Sequence, residues 1–265
     1  MSSVEAAGPL TSSGDSYWAQ TRRPLPSLVF MLPLLIFYEI GVLWLGGAKA
    51  DLLRNGADAW MRLALDWFGF GERYLLPLLV LVIFLGWQLF RQDHWHCSSE
   101  VLIGMLAESL LFGLCLVAIS HLQDLVFQRW DAPSAIHGAM FSAWRPPPAA
   151  GFRPAGPILE PLLTFVGAGV YEEVLFRLVL LPILFGVFRL MGFPVTVAAA
   201  AAALGTSFVF SVAHYLGPYG EPFDWFGFTF RAVAGLFFSI VFVLRGFGIA
   251  VGAHTTYDIL VGLLR

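Results

Sequence analysis

The chain has 265 residues, of which 58% are hydrophobic and only 12% charged, with a mean hydropathy of +0.76. A soluble domain carries roughly 25% charged residues and could not hide so much apolar surface, so a bilayer is the expected solvent for most of the chain. A net charge of −3 without blocks of like charge offers no field for nucleic acid, and Cys97 and Cys115 match no zinc or disulfide spacing.

Residues 1–25 are polar and Ser/Gly-rich, lack the apolar stretch of a signal peptide, and read as a mobile tail. Residues 26–157 are expected to form membrane helices with interfacial segments. The first span, 27–47, contains Pro33 and Glu39. Segment 50–72 sets Leu52, Trp60, Leu63 and Trp67 against Asp51, Arg54, Asp58 and Arg62, the pattern of a helix lying in the headgroup zone. Spans follow at 74–90 and 101–120, the second carrying Glu108.

The stretch 121–157, with Trp130, Trp144 and Arg145-Pro146-Pro147-Pro148, reads as a connection hugging the interface. His94, His96, His121 and His137 fall in loops. Glu39 and Glu108 read as buried protonated acids bonded to neighbouring helices. Arg231 is expected to pair with one of them or to reach toward a headgroup.

Residues 158–265 form a denser helical core: 158–181, a short piece at 183–191 between Pro182 and Pro194, then 195–214, 225–244 and 247–264. The total is seven spans, or eight if 183–191 joins a neighbour differently, which defines an all-α polytopic transmembrane bundle. Arg22 and Arg23 precede the first span, whereas Lys49, Arg54, Arg62 and Arg73 follow it. Taken literally, that count places the amino terminus outside.

Charges at membrane depth cost several kcal/mol unless paired or facing water, so the run Tyr171-Glu172-Glu173-Val174-Leu175-Phe176-Arg177 requires a reason. Glu173 and Arg177 lie at i and i+4, with the acid on the favourable amino-terminal side. Glu172 is turned by about 100° from Glu173 and is left without a local counter-ion. Such a carboxylate suits a general base or acid. His214, at the end of a span, and His254, one turn before Asp258, are its candidate partners. Two His and one Glu around a buried water permit either a metal-free general-base site or a His2Glu site for a divalent metal such as zinc, held by Glu172, His214 and His254.

Glu172-Glu173-x-x-x-Arg177, then Phe210-x-x-x-His214, then His254-x-x-x-Asp258, in that order and each in an apolar span, resembles the CPBP family of CAAX-protease and bacteriocin-processing (Abi) membrane proteins. The resemblance covers roughly 158–265. It implies an integral membrane peptidase, of the bacterial cell membrane, that hydrolyses a peptide bond in a membrane-associated and possibly lipid-modified protein or peptide. By the same resemblance Glu172 would activate water, His214 would help bind it, and His254 with residue 258 would steady the oxyanion. Glu173 and Arg177 would hold the first helix in place. The family often has Asn where this chain has Asp258, whose ionised form would repel an oxyanion. Orientation of His254 is the favoured role for it.

The bland alternatives are a structural ion-pair cluster for Glu172, Glu173 and Arg177, an idle interfacial His214, and an interhelical hydrogen-bonded pair for His254 and Asp258. At the level of function, the competitors are a proton-coupled transporter and a non-catalytic membrane scaffold. The absence of two matching broken-helix halves counts against the transporter.

Overall fold

The computed structural model describes residues 16–46, 50, 53–130, 158–217 and 220–263. The expectations for residues 1–15, His137, Trp144 and the triple proline fall outside them. The described residues are all-α, as expected. Helices α1 (Tyr17–Gln20), α2 (Pro24–Gly46), α3 (Gly56–Trp67), α4 (Leu75–Arg91) and α5 (Ser99–Trp130) form the amino-terminal part. Helix α6, residues 159–190, is followed by α7 (Val195–Ala213), α8 (Trp225–Arg245) and α9 (Phe247–Leu263).

Helices α2, α5, α7 and α8 are long and apolar enough to cross a membrane, and α4 is a shorter apolar helix. Their outward faces carry exposed Ile40, Trp44, Leu89, Phe90, Ile103, Leu111, Leu204 and Phe208, an arrangement stable only against lipid.

Three boundaries differ from the sequence reading. Residues 17–20, expected in a mobile tail, form α1, because Ser16 caps it and Trp18 stacks on Arg245, whose guanidinium carbon lies 3.5 Å from a ring centroid. Residues 121–130, expected to open the connection, are helical, since α5 runs to Trp130 and carries His121 on its surface. The piece 183–191 joins its predecessor: Pro182 lies inside the continuous helix, directly after the π-helical stretch Val174–Leu180, where the hydrogen-bond register changes to that of Leu181–Leu190.

Helix α6 is irregular at its centre. Leu159–Gly167 is α-helical, whereas Ala168–Glu172 and Val174–Leu180 are π-helical. Such wide turns are rare and concentrate at functional sites. They begin where Gly169 lets α9 come close: a Cβ there would lie 2.9 Å from the backbone nitrogen of Thr255.

The acids flagged in the spans, expected to bond to neighbouring helices, meet arginines there. Glu108 forms a two-pronged bond with Arg245, at 2.6 and 2.7 Å, tying α5 to the end of α8. Glu39 accepts from the Tyr171 hydroxyl and from Arg62 at 3.1 Å, with Arg54 at 3.4 Å. Arg231 bonds to neither; it reaches Glu221 at 2.5 Å and the Tyr215 hydroxyl at 3.1 Å.

Candidate active site

The site assembles where α6, the end of α7 and α9 meet. Glu173 and Arg177 are fully buried and in contact at 3.0 Å through Glu173 Oε1 and Arg177 Nη1. Arg177 also donates from Nη2 to the Gly235 carbonyl at 3.0 Å, and its guanidinium carbon lies 4.8 Å from the Phe210 ring and 5.3 Å from that of Phe238. These rings supply the cation with π-faces where water is excluded. Gly235 makes the approach possible, since a Cβ there would come within 2.9 Å of Ser207 Cα on α7.

Glu173 has a second partner. His254 Nδ1 lies 2.7 Å from Glu173 Oε1, and since the carboxylate paired with Arg177 can only accept, Nδ1 carries the proton. The ring lies against Phe238 at 4.5 Å between centroids and 14° between planes. Both its rotation and its tautomer are therefore fixed, and Nε2 is turned toward Glu172. The orienting bond expected from Asp258 comes instead from Glu173. Asp258 stands on the other side, with Oδ2 3.5 Å from His254 Nε2.

His214 caps the end of α7, with Nδ1 2.8 Å from the Phe210 carbonyl. A carbonyl only accepts, so this nitrogen too is the donor, and Nε2 is left facing the site. Glu172 Oε2 lies 3.9 Å from His214 Nε2 and 3.8 Å from His254 Nε2. The three side chains expected to converge do so, at separations one water molecule can bridge. The Glu172 side chain is 12% exposed where that of Glu173 is fully enclosed, which separates the accessible carboxylate from the structural one.

Among the described residues, no group of three His, Cys, Asp or Glu side chains has the spacing of a metal site. Donors about 2.0–2.1 Å from a tetrahedral zinc lie roughly 3.4 Å apart, closer than the 3.8 and 3.9 Å separations here. As arranged, Glu172, His214 and His254 do not fit the divalent ion left open by the sequence.

One contributor escaped the sequence reading. Asn55 Nδ2 donates to Glu172 Oε1 at 3.1 Å, from the start of the helix expected to lie passively in the headgroup zone. The apolar outer face of α3 suits that zone, with Leu63 and Trp67 exposed, but its first turn is locked into the core. Asp58 is fully buried and accepts from Tyr38 at 3.0 Å, Arg54 at 2.8 Å and Arg62 at 2.6 Å. Burial opposes the Arg54 charge, yet Asp58 and then Glu39 outweigh it and raise the guanidinium above its ordinary pKa. The available signal was an asparagine directly ahead of an amphipathic run, the mark of a helix cap.

No curated protein and no solved structure matches the chain significantly. Residues 154–260, from just before α6 to Leu260 in α9, match the family model described as Rce1-like, type II CAAX prenyl endopeptidase. The carboxy-terminal segment is thus similar to the CPBP/CAAX protease family, in a chain whose four long apolar helices fit an integral membrane protein.

Proposed function

We propose that this protein is an intramembrane endopeptidase that cleaves a membrane-associated, prenylated CAAX-type protein or peptide, with Glu172 as the base that activates water. The observation that carries the reading is the convergence of Glu172 Oε2 with His254 Nε2 at 3.8 Å and His214 Nε2 at 3.9 Å. A water held between them donates one hydrogen to Glu172 and the other to the lone pair of His214 Nε2. Glu172 takes the proton as the water oxygen attacks the scissile carbonyl carbon, and later returns it to the leaving amine. When His254 carries a second proton, its Nε2–H faces the same space and donates to the developing oxyanion. The ring cannot turn away, because Glu173 holds the opposite nitrogen. The similarity to type II CAAX prenyl endopeptidases supports a prenylated substrate.

The test uses purified full-length protein and a fluorogenic farnesylated CAAX peptide. Glu172→Gln, His214→Ala and His254→Ala are each expected to lower kcat/KM by roughly 10²–10⁴-fold while leaving the melting temperature near that of the wild type for Glu172→Gln. Unchanged cleavage by Glu172→Gln would rule out glutamate as the base.

A further inference from the structure

Glu172 can act as a base toward a water at the two histidines only if Oε2 points at them, and a carboxylate with a free side-chain torsion has no reason to hold that direction. Within α6 nothing fixes it: Arg177 is engaged by Glu173. The fixing contact comes from Asn55, outside the segment 154–260 that matches the family model. Asn55 is the only asparagine of the chain.

Its amide is held at both ends. Oδ1 accepts the Ala57 backbone N–H at 2.8 Å, capping α3, so the amide can be oriented in only one way and the NH2 must face Glu172. The Asn55 backbone N–H donates to the Tyr38 hydroxyl at 2.9 Å, and that hydroxyl donates to buried Asp58. Asn55 is thus a rigid donor set on one oxygen of Glu172, with the other oxygen left for water.

Resting on the reading of Glu172 as the base, we infer that Asn55 is the positioning residue of the reaction: it anchors Glu172 Oε1 so that Oε2 addresses the water at His214 and His254. A site built within the family segment is thereby completed by an amino-terminal interfacial helix.

Two measurements test this. Full-length protein grown with [15N]asparagine in detergent micelles gives a single side-chain amide pair. One proton of the pair is expected downfield and slow to exchange, and Glu172→Ala is expected to abolish both properties. An amide pair identical in wild type and Glu172→Ala would overturn the proposal, whether or not the protein cleaves the chosen peptide.

The second measurement is cleavage of the farnesylated CAAX peptide by Asn55→Ser and Asn55→Asp, both of which keep a side-chain oxygen to cap α3. Each is expected to lower kcat by roughly 10- to 100-fold with KM little changed and folding retained. Asp is expected to be the worse, because it sets a second carboxylate against Glu172. Wild-type kcat in both variants, or a loss that merely follows melting temperature, would overturn the role. Absence of cleavage by the wild type itself would count against the peptide as substrate, with the resonance of Asn55 still deciding its bond to Glu172.

Discussion

Glu173 Oε1 lies 2.7 Å from His254 Nδ1 and 3.0 Å from Arg177 Nη1, so one oxygen fixes an imidazole and neutralises a buried guanidinium. Removing the charge of Glu173 leaves Arg177 uncompensated where it cannot reach water. Glu173→Gln is expected to destabilise the protein by about 3–5 kcal/mol, seen as an earlier melting transition in detergent. Adding Arg177→Met to it should restore most of that stability without restoring cleavage, since the charge-assisted bond to His254 is still lost. A single variant that melts with the wild type would refute this view of the cluster.

Gly169 sets the distance between α6 and α9. Gly169→Ala introduces a methyl 2.9 Å from the Thr255 backbone nitrogen, and one of the two helices must move. The expected cost is about 1–3 kcal/mol, accompanied by a fall in kcat as His254 recedes from Glu172. Thermal melting and peptide cleavage measured on the same preparation check both parts.

Glu108 and Arg245 clasp α5 to α8 away from the three converging side chains. Glu108→Gln should therefore lower the melting temperature, at a cost of about 3 kcal/mol, while kcat per folded molecule stays within a factor of about two. A selective loss of kcat with stability intact would place Glu108 in the chemistry.

Asp258 lies 3.5 Å from His254 Nε2, close to where an oxyanion would draw on the same hydrogen. Asp258→Asn replaces a repelling carboxylate by an amide donor and should cleave at least as fast as the wild type. Asp258→Ala removes the same repulsion without adding a donor and should cleave roughly tenfold more slowly than Asp258→Asn. Equal activity in the two variants would remove residue 258 from the site.

The donor spacing around Glu172 predicts that cleavage withstands 1,10-phenanthroline and EDTA. Inhibition that is reversed by added zinc would show that the three side chains close up around an ion.

The spans were legible because membrane helices obey a simple rule of length and apolarity, and the ordered motifs around Glu172, His214 and His254 pointed to one site. Glu173 was readable as the partner of Arg177 by its i, i+4 spacing, but not as the partner of His254, which lies 81 positions away. Asn55 was invisible for the same reason: its bond to Glu172 spans 117 positions, and no local periodicity encodes such a pairing. The arginine partners of Glu39 and Glu108 were missed because Arg245 ends α8 and Arg54 and Arg62 lie in the interfacial segment, where charge looks solvated. The joining of 183–191 to α6 was hidden by Pro182, which ordinarily ends a helix but here lies inside α6, just past its π-helical stretch.

Asn55 is followed by Gly56, the neighbour that least hinders attack of the next backbone nitrogen on an asparagine side chain. That attack expels ammonia and forms a succinimide, which water opens to aspartate or isoaspartate. Deamidation here would change one atom group of the whole molecule and turn a donor to Glu172 into a carboxylate opposing it. The cap to Ala57 and the bond to Glu172 restrain the amide while the protein is folded. Aged or heated preparations are thus expected to lose activity in step with conversion at this one position, traceable by peptide mapping, and Asn55→Ser protein should be immune to the decline.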